Sequence, residues 1–200
     1  MTPLDSQTEA TLRQFFRYFN KIMLLLWRLG IGPSMSRYPN TTGRFMVIVH
    51  TGRKTGLRRL TPVNYAEIEG GLYCTTGFGS VSHWYQNILA NPQVEIWLEN
   101  ERWAATAEDV SDHPDRLKLL REVLKGSGFV APMIGVDPHT LSDEKLNQAT
   151  VNYRLIHLRR TEPRTGPGSP GDLAWVWPAG FAFLLPLALA GLFGRGRKRK

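Results

Sequence analysis

Between residues 12 and 29, the apolar side chains Phe15, Phe19, Ile22, Met23 and Leu26 recur at steps of three and four, with Arg13, Arg17, Lys21 and Arg28 between them. That period predicts an amphipathic helix with a basic face, stopped by Gly30, Gly32 and Pro33. Such a helix either covers a domain core or lies at an anionic membrane surface. The pattern changes at Phe45. Residues 45–50 are continuously apolar and rich in β-branched side chains, as in a strand buried on both faces. Residues 60–68 read as a second strand, with Pro62 near its start, and Glu69, Gly70 and Gly71 turn it back into a hairpin with residues 72–76. Residues 84–90 form a short helix closed by Asn91 and Pro92. Residues 94–98 and 103–110 make another hairpin across Glu99, Asn100 and Glu101. Residues 112–125 place Leu117, Leu120, Val123 and Leu124 on one helical side and stop at Gly126, and residues 153–158 supply a last strand. Short strands joined mostly as antiparallel hairpins, with a few helices between, predict a small β-barrel in an α+β setting.

Past that domain the composition shifts. Residues 161–172 (TEPRTGPGSPGD) have the Pro, Gly and polar content of a flexible linker. Residues 173–193 are 21 uncharged positions, which at ~1.5 Å per residue reach roughly the thickness of a bilayer core. A transmembrane segment is expected there, with Pro178 and Pro186 tolerated as membrane helices tolerate them. The expected organisation is an N-terminal helix (1–32), a barrel domain (33–160), a linker (161–172), a membrane segment (173–193) and a basic tail (194–200). The expected location is a membrane, with a single C-terminal anchor and the domain on the cytoplasmic side; a re-entrant segment bent at its prolines is the alternative.

Charge and composition narrow the partners. The 200 residues, 42% of them hydrophobic, suit one globular domain plus appendages. Five of the net +8 charges sit in the terminal RGRKRK, so the body is only mildly basic, and it lacks the interleaved basic and aromatic stripe of a nucleic-acid surface. Nucleic acid is not the expected partner. Cys74 is the only cysteine, which excludes an internal disulfide and a cysteine-based zinc site and fits a reducing compartment. His50, His83, His113, His139 and His157 show no metal-binding spacing, so no metal site is expected. The polar first residues show no export signal pattern. Nothing in the pattern specifies an oligomeric state.

Two glycine-bearing loops carry the candidate chemistry. Residues 50–59 set Arg53, Lys54, Arg58 and Arg59 among Gly52 and Gly56, and residues 76–82 form a second glycine-rich loop opening onto Trp84. Backbone N–H groups that glycine exposes, with fixed positive charge beside them, suit phosphate or carboxylate. The Walker and G-x-G-x-x-G patterns are both absent.

The series T-G-R-K-T-G at 51–56, R-x-T-P at 59–62, G-F-G-S-x-S-x-W-Y-x-N at 77–87 and A-N-P at 90–92 resembles the deazaflavin-dependent nitroreductase family, which includes quinone reductases. The resemblance covers about residues 33–110. It implies a split β-barrel of the FMN-binding type that binds the deazaflavin coenzyme F-420, whose tail bears a phosphate and several glutamates. By this resemblance Arg53, Lys54 and Arg59 hold the anionic tail, with Gly52 and Gly56 letting the backbone approach. Thr61, Pro62 and Val63 pass beside the ring. Gly77, Gly79, Ser80 and Ser82 close over the coenzyme, while Trp84 and Asn87 fix that loop or touch the coenzyme; read by themselves, Trp84 is equally a core anchor and Asn87 equally a brace.

The implied activity is that of an oxidoreductase, with hydride passing from the reduced coenzyme to a lipid-soluble acceptor such as a quinone. The coenzyme does that chemistry, so no catalytic acid or base is required of the chain; Tyr65 and Tyr85 are the nearest tyrosines by motif, should a proton donor be needed. Residues 126–136 carry no tyrosine where some relatives line the substrate pocket with them, which points to an apolar acceptor with Phe129, Met133 and Ile134 as wall candidates. Rival readings keep the barrel but give it FMN or haem, which the extended basic loop disfavours, or make it a non-catalytic, membrane-anchored coenzyme carrier.

Overall fold

The structure is a computed structural model and describes residues 6–35, 43–99 and 101–194. The elements run α1 (Ser6–Arg28), α2 (Gly32–Met35), β1 (Phe45–Thr51), β2 (Arg58–Ile68), β3 (Gly71–Thr76), α3 (His83–Ala90), β4 (Gln93–Trp97), β5 (Arg102–Asp109), α4 (Arg116–Lys125), α5 (Val130–Met133), α6 (Asp143–Ala149), β6 (Arg154–Pro163) and α7 (Val176–Gly194). The strands close into an antiparallel barrel in the order β1-β2-β3-β6-β5-β4. The expected barrel in an α+β setting is therefore what the chain forms. Closure leaves no unpaired sheet edge among these strands.

Alternation sorts the side chains. Met46 and Ile48 of β1, Val63 and Tyr65 of β2, Leu72 and Cys74 of β3, Ile96 of β4 and Ile156 and Leu158 of β6 fill one interior cluster. The outward set of β1, Phe45, Val47 and Val49, is covered by Met23 and Trp27 of α1, together with Trp97. Both faces of β1 are thus buried, which is why its sequence is apolar throughout. On another face α4 lays Leu119 and Val123 against Ala66 and Leu155.

Helix α1 divides its apolar residues. Phe19, Leu26, Met23 and Trp27 face the barrel, whereas Phe15, Tyr18, Ile22 and Leu25 remain exposed. The turn after β2 is a two-residue loop in which both Glu69 (φ 51°) and Gly70 (φ 79°) are left-handed, the conformation that matches hairpin twist. Glutamate is poorly suited to it, since the left-handed region costs a non-glycine residue ~1–2 kcal/mol. Glu69→Asn is expected to raise the thermal midpoint by about 1–4 °C, from ~0.5–1 kcal/mol of relieved strain; a melt unchanged or lowered would reject this.

The C-terminal third departs from expectation. β6 runs through Pro163, past the expected domain end at Arg160. The segment expected to be a flexible linker is hydrogen-bonded to the body along its length. Arg164 N–H donates to Arg102 O (2.6 Å) and Gly171 N–H to Trp27 O (2.9 Å). The Arg102 guanidinium reaches Thr165 O and Pro167 O. Arg58 Nη2 donates to Gly168 O, and Arg28 grips Asp172 with two nitrogens. Proline and glycine here shape a strap rather than a tether.

The strap continues into the expected membrane segment. Leu173 N–H donates to Arg28 O and Trp177 Nε1 to Leu29 O (3.0 Å), so α7 starts only at Val176, with Pro186 inside it. Among the described residues, no helix is long and apolar enough to cross a membrane. The basic tail beyond Gly194 lies outside the described residues.

Candidate active site

The two signature loops meet through helix α3. Ser82 precedes it, and Trp84 and Asn87, three residues apart, share a helical side. Asn87 is buried. Its Oδ1 accepts from the backbone N–H of Arg53 and from Arg53 Nη1, both at 3.1 Å, so it braces the basic loop. Its Nδ2 faces His50 Nδ1 at 3.3 Å, and His50 Nε2 lies 3.0 Å from Thr61 Oγ1. His50 is 4% exposed. Burial, opposed by a hydrogen bond to the Thr51 backbone and reinforced by the Arg59 charge, pushes its imidazole down to about 4, so it is neutral at neutral pH.

Thr61 opens onto a cavity of about 660 Å³, within the range of small-molecule sites. β2 contributes Thr61, Pro62 and Val63 to its wall; the glycine-rich loop contributes Gly77, Phe78 and Ser82, and α3 contributes Trp84. Phe16, Phe19 and Asn20 of α1 close one side, and Val130, Ala131, Ile134 and Val136 another. Phe16 meets Phe78 edge-on at 5.8 Å, joining α1 to the glycine-rich loop.

That loop is held from within. Thr76 Oγ1 donates to Gly79 O (3.1 Å), which leaves Ser82 Oγ to donate to Thr76 Oγ1 (2.7 Å). Gln86 Nε2 holds Ser80 O (2.7 Å). Gly79 is required twice over. Its φ is +63°, and a Cβ there would stand 2.5 Å from Asn152 O.

The basic loop lies at the mouth of the β1–β2 hairpin. Arg59 pairs with His50 and Thr61 with Ile48, so Arg59 and Thr61 lie on one strand face about 7 Å apart. Arg53, Lys54 and Arg59 are exposed. Among the described residues, none of the three is paired with a carboxylate. Arg58 differs: it lies 3.6 Å from Glu95, sits over Trp97 and donates to Gly168 O, so it belongs to the strap. Gly52 is buried and leaves room for the Arg59 side chain, whose Nε would be 2.8 Å from a Cβ there; Gly56 takes φ +66° at the loop tip.

Of the residues singled out by motif, Thr61, Pro62, Val63, Gly77, Ser82 and Trp84 line the one cavity. Gly79, Ser80 and Asn87 stand behind it as supports. Of the three wall candidates, Ile134 lines the cavity, whereas Phe129 and Met133 are half exposed and do not. Neither tyrosine singled out by motif reaches it. Tyr85 donates to Asp109, with burial and that bond pushing its phenol up to about 12, and Tyr65 lines a smaller cavity beside Arg44. The tyrosine on the wall is Tyr153, its phenol pushed up by burial. It lies in no motif, and neither does His50 in the role it takes here; only their place in the barrel brings them to the site.

Residues 33–127 match the family model described as F420H(2)-dependent quinone reductase. An F420H(2)-dependent quinone reductase of Mycobacterium tuberculosis is 37% identical over 79 residues, covering 36% of this chain and 52% of that protein. The chain therefore spans about half the length of the curated relatives it matches. Among solved structures, a conserved hypothetical protein of M. tuberculosis superposes with a TM-score of 0.45 at 17% identity, covering 66% of this chain and 81% of that one. A structure described as an F420-H2 dependent reductase gives 0.41 at 20%, covering 58% and 94%. The sequence match, whose span holds both loops and α3, is the stronger finding: residues 33–127 of this chain are similar to the F420H(2)-dependent quinone reductase family.

Proposed function

We propose that this chain is an oxidoreductase that uses the reduced deazaflavin coenzyme F-420 to reduce an apolar, quinone-like acceptor. The observation that carries this reading is the pairing of a largely apolar cavity with a cluster of cations that have no carboxylate partner among the described residues, one helical turn apart along α3. The residues suit the coenzyme: β2 and Trp84 both line the cavity that would take a flat ring, and its phosphate and glutamates match Arg53, Lys54 and Arg59, where a single FMN phosphate would leave charge uncompensated. Bound there, the reduced deazaflavin supplies the hydride. The chain holds and orients: β2 lines one side of the ring position, Phe16 and Phe78 exclude water, and the walls from α1 and α5 select the acceptor. Full-length protein in detergent is expected to bind the reduced coenzyme and oxidise it when menadione is added, followed by the coenzyme's absorbance. Binding without turnover across several quinones would favour the carrier reading, and yellow FMN copurifying instead would overturn the choice of coenzyme.

The same reading places the protein at a membrane, because a lipid-soluble acceptor resides there. The exposed apolar residues of α1, flanked by the exposed Arg17 and Lys21, and the exposed aromatics Trp175, Phe181 and Phe183 at α7 support attachment. The finer proposal keeps the C-terminal apolar segment as the anchor and the barrel on the cytoplasmic side. Because Leu173 and Trp177 are pinned to α1, the informative truncation begins at Pro178: it is expected to move the protein from the membrane to the soluble fraction, and unchanged partitioning would assign attachment to α1.

A further inference from the structure

The hydrogen bonds between the basic loop and the cavity have a direction. Asn87 Oδ1 accepts two bonds from Arg53, which fixes the amide orientation and turns Nδ2 toward His50. An amide NH₂ only donates, so a hydrogen bond from Asn87 Nδ2 makes His50 Nδ1 the bare, accepting nitrogen, against the Thr51 backbone, which competes for an imidazole N–H. A neutral imidazole then carries its proton on Nε2, which donates to Thr61 Oγ1. With its oxygen engaged as acceptor, Thr61 has one hydroxyl proton left, and Thr61 lines the cavity.

We propose that Arg53, Asn87 and His50 form a one-way donor chain that presents the Thr61 hydroxyl proton to the cavity, with His50 as the positioning residue that sets its direction. Every donor points the same way, from the cation at the loop to the cavity wall, and hydrogen bonds aligned in series polarise one another. The atom facing Thr61 must then be an acceptor, a carbonyl oxygen or an unprotonated ring nitrogen; an N–H there would meet a second donor. The basic loop, which holds the anionic tail, is thereby tied to the polar contact beside the ring. Identifying the facing group as the coenzyme's ring rests on the function proposed above; the donor chain does not.

Two measurements separate these claims. Nitrogen-15 NMR of the labelled, coenzyme-free full-length protein at pH 7, with His50→Gln used to assign the signals, is expected to show a neutral His50 protonated on Nε2. An Nδ1–H tautomer or a charged ring would overturn the chain. For the ring contact, Thr61→Ser should bind reduced coenzyme within about 2-fold of the parent, while Thr61→Val should bind roughly 5- to 30-fold more weakly, the loss of one neutral hydrogen bond. His50→Gln, whose amide can still donate, should retain most of the affinity. His50→Leu should weaken binding in the parent but add little to Thr61→Val. Equal affinity of the Ser and Val variants would overturn the donor role, and an undiminished His50→Leu effect in the Val background would overturn the relay through Thr61. Should the parent itself not bind the coenzyme, the coenzyme assignment fails while the tautomer still decides the chain.

Discussion

Gly79→Ala is expected to lower the midpoint of thermal unfolding by about 4–20 °C and to weaken coenzyme binding with it. The left-handed backbone at Gly79 costs an alanine ~1–2 kcal/mol. The new Cβ would stand 2.5 Å from Asn152 O, and relieving such an overlap in a packed site adds ~1–3 kcal/mol. At ~2–4 °C per kcal/mol for a chain of this size, the midpoint falls by the stated amount. The carbonyl of Gly79 also accepts from Thr76 Oγ1, so movement of this residue loosens the Thr76–Ser82 brace and shifts Gly77 and Phe78 on the cavity wall. Gly77→Ala is the control. Its Cβ would meet Tyr153 at an ordinary 3.5 Å, and its midpoint should stay within about 2 °C of the parent. Circular dichroism melts of the two variants decide the matter, and equal midpoints would reject the steric account.

How far the site could be read from the chain follows from the range of the forces involved. The β1–β2 and β2–β3 hairpins, α3 and the glycine-rich loop are local: turn chemistry and alternation specify them within a few residues, and the motif residues Thr61, Pro62, Val63, Gly77, Ser82 and Trp84 line one cavity. Phe16, Phe19 and Tyr153 come to the cavity from distant parts of the chain. Their sequence signal is that of ordinary core aromatics, and only barrel closure distinguishes them. Residues 161–172 misled for the opposite reason. Proline and glycine report freedom or a tight path equally well, and the difference here is set by Arg28, Arg58 and Arg102, which hold the strap from far upstream. The apolar composition of residues 173–193 likewise did not reveal that its first residues are committed to α1.

The second large effect concerns charge. Lys54→Ala combined with Arg59→Ala is expected to weaken binding of the full-tailed coenzyme by ~30- to 1000-fold, from ~2–4 kcal/mol of lost charge-assisted contacts. The two cations are exposed and unpaired among the described residues, so neither supports the fold, and the melt should stay within about 2 °C of the parent. Arg58→Ala should do the reverse. Its guanidinium is engaged by Glu95, Trp97 and Gly168, so its loss frees the strap while leaving affinity within a few-fold. Two dependences identify the contact as electrostatic. Raising salt should erode the parent's affinity more than the double variant's, because exposed charges are screened over ~8–10 Å. Shortening the coenzyme's glutamate tail should likewise cost the parent much and the variant little. Calorimetric titration across tail lengths is the decisive measurement, and an affinity insensitive to tail length in the parent would reject the loop as the tail site. On the function proposed above, that dependence would separate gripping from reacting: the loop would set how tightly the coenzyme stays, and the cavity walls from α1 and α5 would be left to choose the acceptor.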